Sequence, residues 1–173
     1  MGQLVIDALA GGQRFKAHRA QAAICETRIG TGPGGSPGPR AVLAKPTTYM
    51  NLSGGPVAGL VRFFDVGPDR VVIVHDDLDI DFGAVRLKRG GGEGGHNGLR
   101  SISRSLADPG YLRVRVGIGR PPGRMDPADF VLRGFSATER REVELIVVDA
   151  ADAVELLLLN GLEAAQTRYH SRS

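Results

Sequence analysis

Short apolar runs typical of β-strands alternate along this chain with segments that repeat apolar residues at helical spacing. Strand patterns cover residues 20–29, 41–44, 71–74, 84–88 and 112–118. Helix patterns cover residues 3–10, 56–64, 97–106 and 138–160, the last resuming after Gly161. The alternation predicts an α/β fold, in which a mixed, twisted β-sheet is flanked by helices within a single domain.

Some strand patterns also predict a position in the sheet. The β-branched run at 71–74 is typical of a fully buried central strand, whereas 84–88 and 112–118 alternate apolar and basic residues and predict half-exposed strands. The Gly/Pro/Ser-rich segment 30–39 predicts a mobile hairpin tip.

Composition excludes several classes of protein. The single cysteine, Cys25, allows neither an internal disulfide nor a cysteine metal cluster. We find no signal peptide, and acids interrupt the most apolar stretch, residues 145–162, so it is too charged to span a bilayer. We therefore expect a cytoplasmic protein without a membrane partner.

The net charge of +3 is unevenly distributed. Residues 84–125 hold nine Lys or Arg against two acids, a sum of +7, which leaves −4 for the remainder. A basic middle segment predicts a polyanionic partner such as RNA, although charged residues that only face solvent would give the same count.

A polar segment follows the strand pattern at 41–44. It reads Lys-Pro-Thr-Thr-Tyr-Met-Asn-Leu-Ser-Gly at 45–54, and ligands of α/β proteins bind beyond the carboxyl ends of strands. Thr48, Tyr49 and Asn51 could present polar groups to such a ligand. The alternative is that Asn51 or Ser53 only caps the next helix.

Acids follow the strand pattern at 71–74, in the order His75-Asp76-Asp77-Leu78-Asp79. Such a cluster could bind Mg²⁺, orient a histidine or simply form a turn. His75 by itself is more typical of a structural histidine than of a general base.

A glycine run, Gly-Gly-Gly-Glu-Gly-Gly-His-Asn-Gly at 90–98, lies between a strand pattern and a helix pattern. It contains G-x-G-x-x-G, but the basic residues around it and the absence of Gly-Lys-Ser/Thr argue against a dinucleotide site or a P-loop. Exposed amides beside Arg86 and Lys88 would suit a phosphate, unless the run is only a flexible hairpin.

Taken together, these motifs resemble bacterial peptidyl-tRNA hydrolases. The motifs at 45–54, 75–79 and 90–99 match that family in order and spacing, as do Arg-Val-Arg-Val-Gly-Ile-Gly at 113–119 and Asp-Phe-Val-Leu at 129–132. The resemblance covers essentially the whole chain, so residues 1–173 are expected to form one peptidyl-tRNA hydrolase domain.

The resemblance implies a carboxylic ester hydrolase that cleaves peptide from tRNA, uses no metal or cofactor and acts as a monomer. It implies that Asn51 and Asn97 line the ester site and that Tyr49 contacts the terminal adenosine of tRNA. It also implies that Asp76 orients the general-base histidine and that Lys88 and Arg115 bind tRNA phosphates. We expect Asn51, Asp76 and Asn97 to converge around the ester.

The resemblance breaks off at the start of the chain. Met1-Gly2-Gln3 matches the family immediately after its Arg-His-Asn, so roughly twenty residues of the family pattern, including the first central strand and the general-base histidine, are expected to be missing. The sequence then leaves open whether this 173-residue chain is active and stable by itself. The alternatives are a non-catalytic tRNA-binding remnant and, on the glycine run alone, a nucleotide-binding oxidoreductase.

Overall fold

The computed structural model describes residues 1–171, except for the side chains of residues 128, 131 and 132. Its helices and strands alternate as the sequence predicts. In chain order they are α1 (Gly2–Ala10), β1 (Lys16–His18), β2 (Ala22–Arg28), β3 (Arg40–Pro46), α2 (Gly54–Phe64), β4 (Val72–Asp77), β5 (Val85–Arg89), α3 (Asn97–Leu106), β6 (Leu112–Gly117), α4 (Pro127–Leu132), α5 (Ala137–Asn160) and α6 (Leu162–His170). Within residues 1–171, no helix has both the length and the apolar character needed to cross a membrane.

The chain divides into two compact units. The first consists of Met1–Ala8, Val74–Leu87 and Val114–Ser173, and the second of Leu9–Ile73 and Lys88–Arg113. Segments distant in sequence therefore build each unit.

The second unit contains an antiparallel sheet with the strand order β1-β2-β3. The segment 30–39 joins β2 to β3 and contains a bridge between Thr31 and Pro37, so its position at a hairpin tip is confirmed, while its mobility stays a prediction. Helix α2 packs against this sheet through Leu60, which contacts Ala22 and Ile24. In a second apolar cluster of this unit, Leu99 and Ile102 of α3 pack against Tyr111.

A second sheet has the order β4-β6-β5. Leu112 N–H donates to Val71 O and Ile118 N–H to Asp77 O, so β6 runs parallel to β4. Gly117 N–H donates to Ala84 O and Gly90 N–H to Tyr111 O, so β6 runs antiparallel to β5. The prediction of a mixed sheet is confirmed.

The predicted positions of two strands in this sheet are wrong. β4 lies at one end of the strand order and its valines and isoleucine are half-buried, whereas the predicted half-exposed strand β6 is the central one. All residues of β6 are buried except Arg115. The alternation of Arg with Val predicts a solvent-facing side, but Arg113 is completely buried by residues distant in the sequence.

Long-range contacts hold the first unit together. Ser136 and Glu139 form a capping box that begins α5, and α5 and α6 pack on each other. The start of α1 lies so close to β4 that a Cβ at Gly2 would be 2.4 Å from Val74 O. Two side chains of α6 bind one residue of β5: Gln166 Nε2 donates to Leu87 O at 3.0 Å, and Leu87 N–H donates to His170 Nε2 at 3.0 Å.

Candidate active site

The predicted polar segment after β3 forms an exposed turn in the second unit. Tyr49 is 82% exposed, and Asn51 is also exposed, within the 3-10 turn Met50–Leu52. The hydroxyl of Ser53 donates to Met50 O at 2.7 Å and makes no capping bond to α2. The side chain of Ser53 therefore closes the turn that presents Asn51 and does not cap the helix.

This turn packs against the first turns of α3. A Cβ added at Gly98 would lie 3.0 Å from Met50 Cγ, so the turn and the helix are in close contact there. Just after the turn, Gly54 N–H donates to Ser101 Oγ at 2.9 Å. Asn97 is the first residue of α3 and is exposed. The second unit thus joins the turn that carries Asn51 to the helix that begins at Asn97.

The glycine run forms a loop that Arg113 holds at two carbonyls, while its flexibility stays a prediction. Arg113 Nη1 donates to Gly92 O at 2.7 Å and Nη2 to Gly91 O at 2.9 Å. At the end of the loop, His96 Nδ1 accepts the Leu99 N–H and so caps α3. The loop therefore has a defined shape between Lys88 and Asn97.

Lys88 lies beside this loop. A Cβ added at Gly91 would lie 3.1 Å from the Lys88 Nζ, so the ammonium is close to the Gly91 backbone. Gly91 has a φ of +88°, a conformation that favours glycine. The predicted phosphate ligand Lys88 and the glycine loop thus form one cationic region of the second unit.

Asp76 belongs to the first unit and lines a cavity of about 80 Å³. Asp76 Oδ1 is 2.9 Å from the nitrogen of Met1, and the carboxylate is largely buried. The remaining lining is mostly aromatic and aliphatic: Phe82, Ile118, Phe130, Arg133 and Phe135. A carboxylate in such surroundings interacts strongly with a neighbouring cation, because little water screens it.

Arg115, also in the first unit, is paired with the acid that follows Asp76. Arg115 Nε donates to Asp77 Oδ2 at 2.9 Å, and Asp77 also accepts the Asp79 N–H. Burial alone would raise the pKa of Asp77, but these hydrogen bonds and the charges of Arg115 and His75 bring it below the ordinary value. Arg115 makes this contact through Nε, and its side chain is partly exposed.

Each of the four histidines has a structural contact. His18 Nδ1 accepts the Ala20 N–H and its ring packs on Phe63, and His75 is buried with Nδ1 2.7 Å from Asp76 O. His96 caps α3 and His170 accepts from β5. This agrees with the structural interpretation of His75, and it extends that interpretation to the other three.

The described residues contain no group of three His, Cys, Asp or Glu side chains that could hold a metal ion. The acids of 76–79 instead contact cations of the protein itself, with Asp79 bound to Arg120 in addition to the pair Asp77–Arg115. The Mg²⁺ alternative therefore finds no support in this cluster.

Two residues that shape these regions are absent from the predicted site residues. The sequence places Arg113 in the basic segment and Asp77 in an acidic cluster, and both in motifs of the family, but it gives neither residue a role of its own. The one signal in the sequence is that Arg113 and Arg115 share a strand with Val114 and Val116, which does not distinguish the buried arginine from the exposed one. Asn97 lies at the predicted start of its helix.

Comparisons with known proteins agree with one another. The family model described as peptidyl-tRNA hydrolase matches residues 1–173. A peptidyl-tRNA hydrolase of Kineococcus radiotolerans is 64% identical over 173 residues, covering 99% of this chain and 87% of that protein. One of Frankia casuarinae is 60% identical over 172 residues, covering 98% and 84%. The crystal structure of a peptidyl-tRNA hydrolase from Acinetobacter baumannii has a TM-score of 0.83 at 31% identity, covering 95% of this chain and 82% of that chain.

Proposed function

Because the chain belongs to the peptidyl-tRNA hydrolase family, we propose that it hydrolyses the ester bond between peptide and tRNA in peptidyl-tRNA. This reaction recycles tRNA after premature release from ribosomes. The protein acts as a monomer in the cytoplasm, where its substrate arises.

The side-chain amides of Asn51 and Asn97 hold the ester and the attacking water. An amide can donate to the carbonyl oxygen as negative charge develops on it and can accept from water, so one residue type suits both tasks. The observation that carries the proposal is the packing of the Met50–Leu52 turn against α3. Asn51 lies in that turn, Asn97 begins that helix, and both residues are exposed. These two residues contact the substrate and are the catalytic residues of the proposal.

Asp76 is a positioning residue that acts through a histidine. A carboxylate beside an imidazole fixes its tautomer and stabilises its charged form after it takes a proton from water. Asp76 lines a mostly apolar cavity, where little water would screen its carboxylate from a neighbouring imidazolium. His18, His75, His96 and His170 all have structural contacts, so the proposal assigns none of them as the base that Asp76 orients.

Binding of tRNA relies on charge and on one aromatic ring. Lys88 and Arg115 bind phosphates, which orients any tRNA without reading its sequence, and the exposed ring of Tyr49 stacks on the terminal adenosine. The +7 charge of residues 84–125 supports this assignment.

The test measures peptidyl-tRNA cleavage and tRNA binding for the 173-residue chain and for a version extended at its start by the segment that the family resemblance implies, up to Arg-His-Asn. We expect both to bind tRNA and the extended chain to cleave at least about a hundredfold faster, the usual contribution of a general base. Asp76→Asn in the extended chain lowers kcat with little change in KM, because it alters the base and not the bound tRNA.

The outcomes separate the alternatives. Equal cleavage by both lengths would show that the base lies within residues 1–173. Binding without cleavage by either length would favour the non-catalytic tRNA-binding alternative, and NAD binding would favour the oxidoreductase.

A further inference from the structure

Arg113 is a completely buried cation without a carboxylate in direct hydrogen-bond contact. Its exposure is 0%, and its guanidinium donates to the carbonyl oxygens of Gly91 and Gly92 and lies 4.7 Å from the ring centre of Tyr111. Arginine is almost never fully buried unless it is paired, because the charge loses its hydration. The two shortest of its hydrogen bonds hold carbonyls of the glycine loop, and a third goes to Pro109 O.

These contacts fix the orientation of one peptide group. In a planar trans peptide the C=O and the N–H point in opposite directions. Because the carbonyl of Gly91 points to Arg113, the N–H of Gly92 points away from it, at a residue that is exposed. Within the described part of the chain, no acceptor takes this N–H.

A second donor lies next to this N–H. The Lys88 ammonium sits against the backbone of Gly91, the residue whose carbonyl Arg113 holds. The ammonium of Lys88, which reaches Gly91 from β5, and the outward amide of the next residue, Gly92, are a donor set that suits a phosphate oxygen. Arg113 thus organises the loop from the inside, while the Gly92 N–H faces away from it.

The acid within the loop is turned away from this role. A hydrogen bond from Ser103 lowers the pKa of Glu93, and the charges of Arg113 and Arg100 lower it further. The Glu93 carboxylate is therefore held at α3 and its charge is compensated. Loss of Arg113 would remove part of that compensation and would make the loop less attractive to an anion.

We propose that Arg113 is a positioning residue for tRNA binding, which fixes the glycine loop so that the Gly92 N–H and the Lys88 ammonium receive one phosphate group together. This inference rests on the tRNA binding of the proposed function. It assigns no contact between Arg113 and the substrate.

The test measures binding of deacylated tRNA to the 173-residue chain at several salt concentrations, so it does not depend on cleavage. Arg113→Lys keeps the charge but cannot hold two carbonyls with a planar fork. We expect it to bind tRNA about tenfold more weakly, with a salt dependence reduced by about one phosphate contact. Gly92→Ala, at a residue with no atom within 4 Å of the added methyl group, is expected to weaken binding about threefold by obstructing the phosphate.

Two controls separate positioning from stability. Tyr111→Phe removes the hydroxyl bonds to Leu99 O and Ser103 but keeps the ring beside Arg113, and Gly134→Ala adds a methyl group in open space elsewhere. Both are expected to bind tRNA as the wild type does. Wild-type affinity and salt dependence in Arg113→Lys or in Gly92→Ala would overturn the inference, as would equal weakening by Tyr111→Phe. If the wild-type chain binds no tRNA, the proposed function itself fails.

Discussion

The two ends of β6 carry the same residue type in opposite roles. At the glycine-loop end, Arg113 is buried and all its described hydrogen bonds go to backbone carbonyls. At the Asp77 end, Arg115 is partly exposed and binds one carboxylate through Nε alone. An arginine enclosed by carbonyls organises the protein, whereas a partly exposed one can also bind an anion. The difference shows that position relative to a loop, and not residue type, decides whether a cation serves structure or substrate.

The largest expected contrast is in stability. Arg113→Met removes the donor of the Gly91 and Gly92 carbonyls, and each lost hydrogen bond costs about 0.5–1.5 kcal/mol, so we expect the free energy of unfolding to fall by about 2 kcal/mol. Arg115→Met breaks one partly exposed ion pair and should cost about 1 kcal/mol or less. Urea unfolding of the two variants measures both values. Similar losses would remove the distinction between the two ends of β6.

An intermediate effect is expected in acid. The pKa of Asp77 lies below its ordinary value of 3.8, so its contribution to stability is complete above pH 3.8 and is lost as the pH falls through the lower, folded-state pKa. In Arg115→Met the carboxylate has lost its partner, and we expect the loss of stability between pH 5 and pH 2 to shrink by about 1 kcal/mol.

The control for this measurement is Arg120→Met. Arg120 binds Asp79 at the surface, where solvent screens the pair, so its removal should leave the acid limb of the stability curve unchanged. A curve for Arg115→Met that coincides with the wild type would contradict the assignment of the lowered pKa to this pair.

The smallest expected effect involves His170. Burial and then the charges of Arg86 and Arg115 hold the pKa of His170 below its ordinary value of 6.5, so the neutral ring is favoured in the folded protein. Its stabilisation is complete above pH 6.5 and is lost as the pH falls towards the folded-state pKa, by a few tenths of a kcal/mol once solvent screening is included.

Arg115→Met should reduce this loss as well, because one of the two cations that disfavour the charged ring is removed. Unfolding measured between pH 7.5 and pH 5 tests the effect, with Arg113→Lys as a comparison, since Arg113 is not among the charges acting on His170. A larger pH dependence in Arg115→Met would show that the charge of Arg115 does not act on the ring.

Much of the fold follows from local sequence pattern. Asn97–Leu106 is the predicted helix to the residue, because a capping histidine and a regular apolar face mark both its start and its extent. β1 was missed because three residues carry no measurable alternation, and only pairing with β2 makes Lys16–His18 a strand. The mixed strand order was predicted in kind, but not the edge position of β4, since strand neighbours depend on contacts far apart in the chain.

The sequence predicts which residues contact the substrate, but not the residues that hold the surrounding loops in place. Asn51, Asn97 and Lys88 lie at turns and element ends that the sequence marks with glycine and proline. Arg113 does not, because its burial arises only when the loop at 90–95 folds over it, and no pattern within Leu112–Gly117 encodes that event. Asp77 likewise becomes more than a turn residue only through Arg115, 38 positions away.

The contact of α6 with β5 has a consequence for the behaviour of the protein in concentrated solution. Gln166 and His170, one helical turn apart, occupy the donor and acceptor of Leu87 that a further strand would use. A helix thereby terminates the hydrogen-bonding ladder with side chains in place of backbone, so a second copy cannot add its own strand at that residue. By covering Leu87, α6 disfavours intermolecular β-pairing on this side of the sheet.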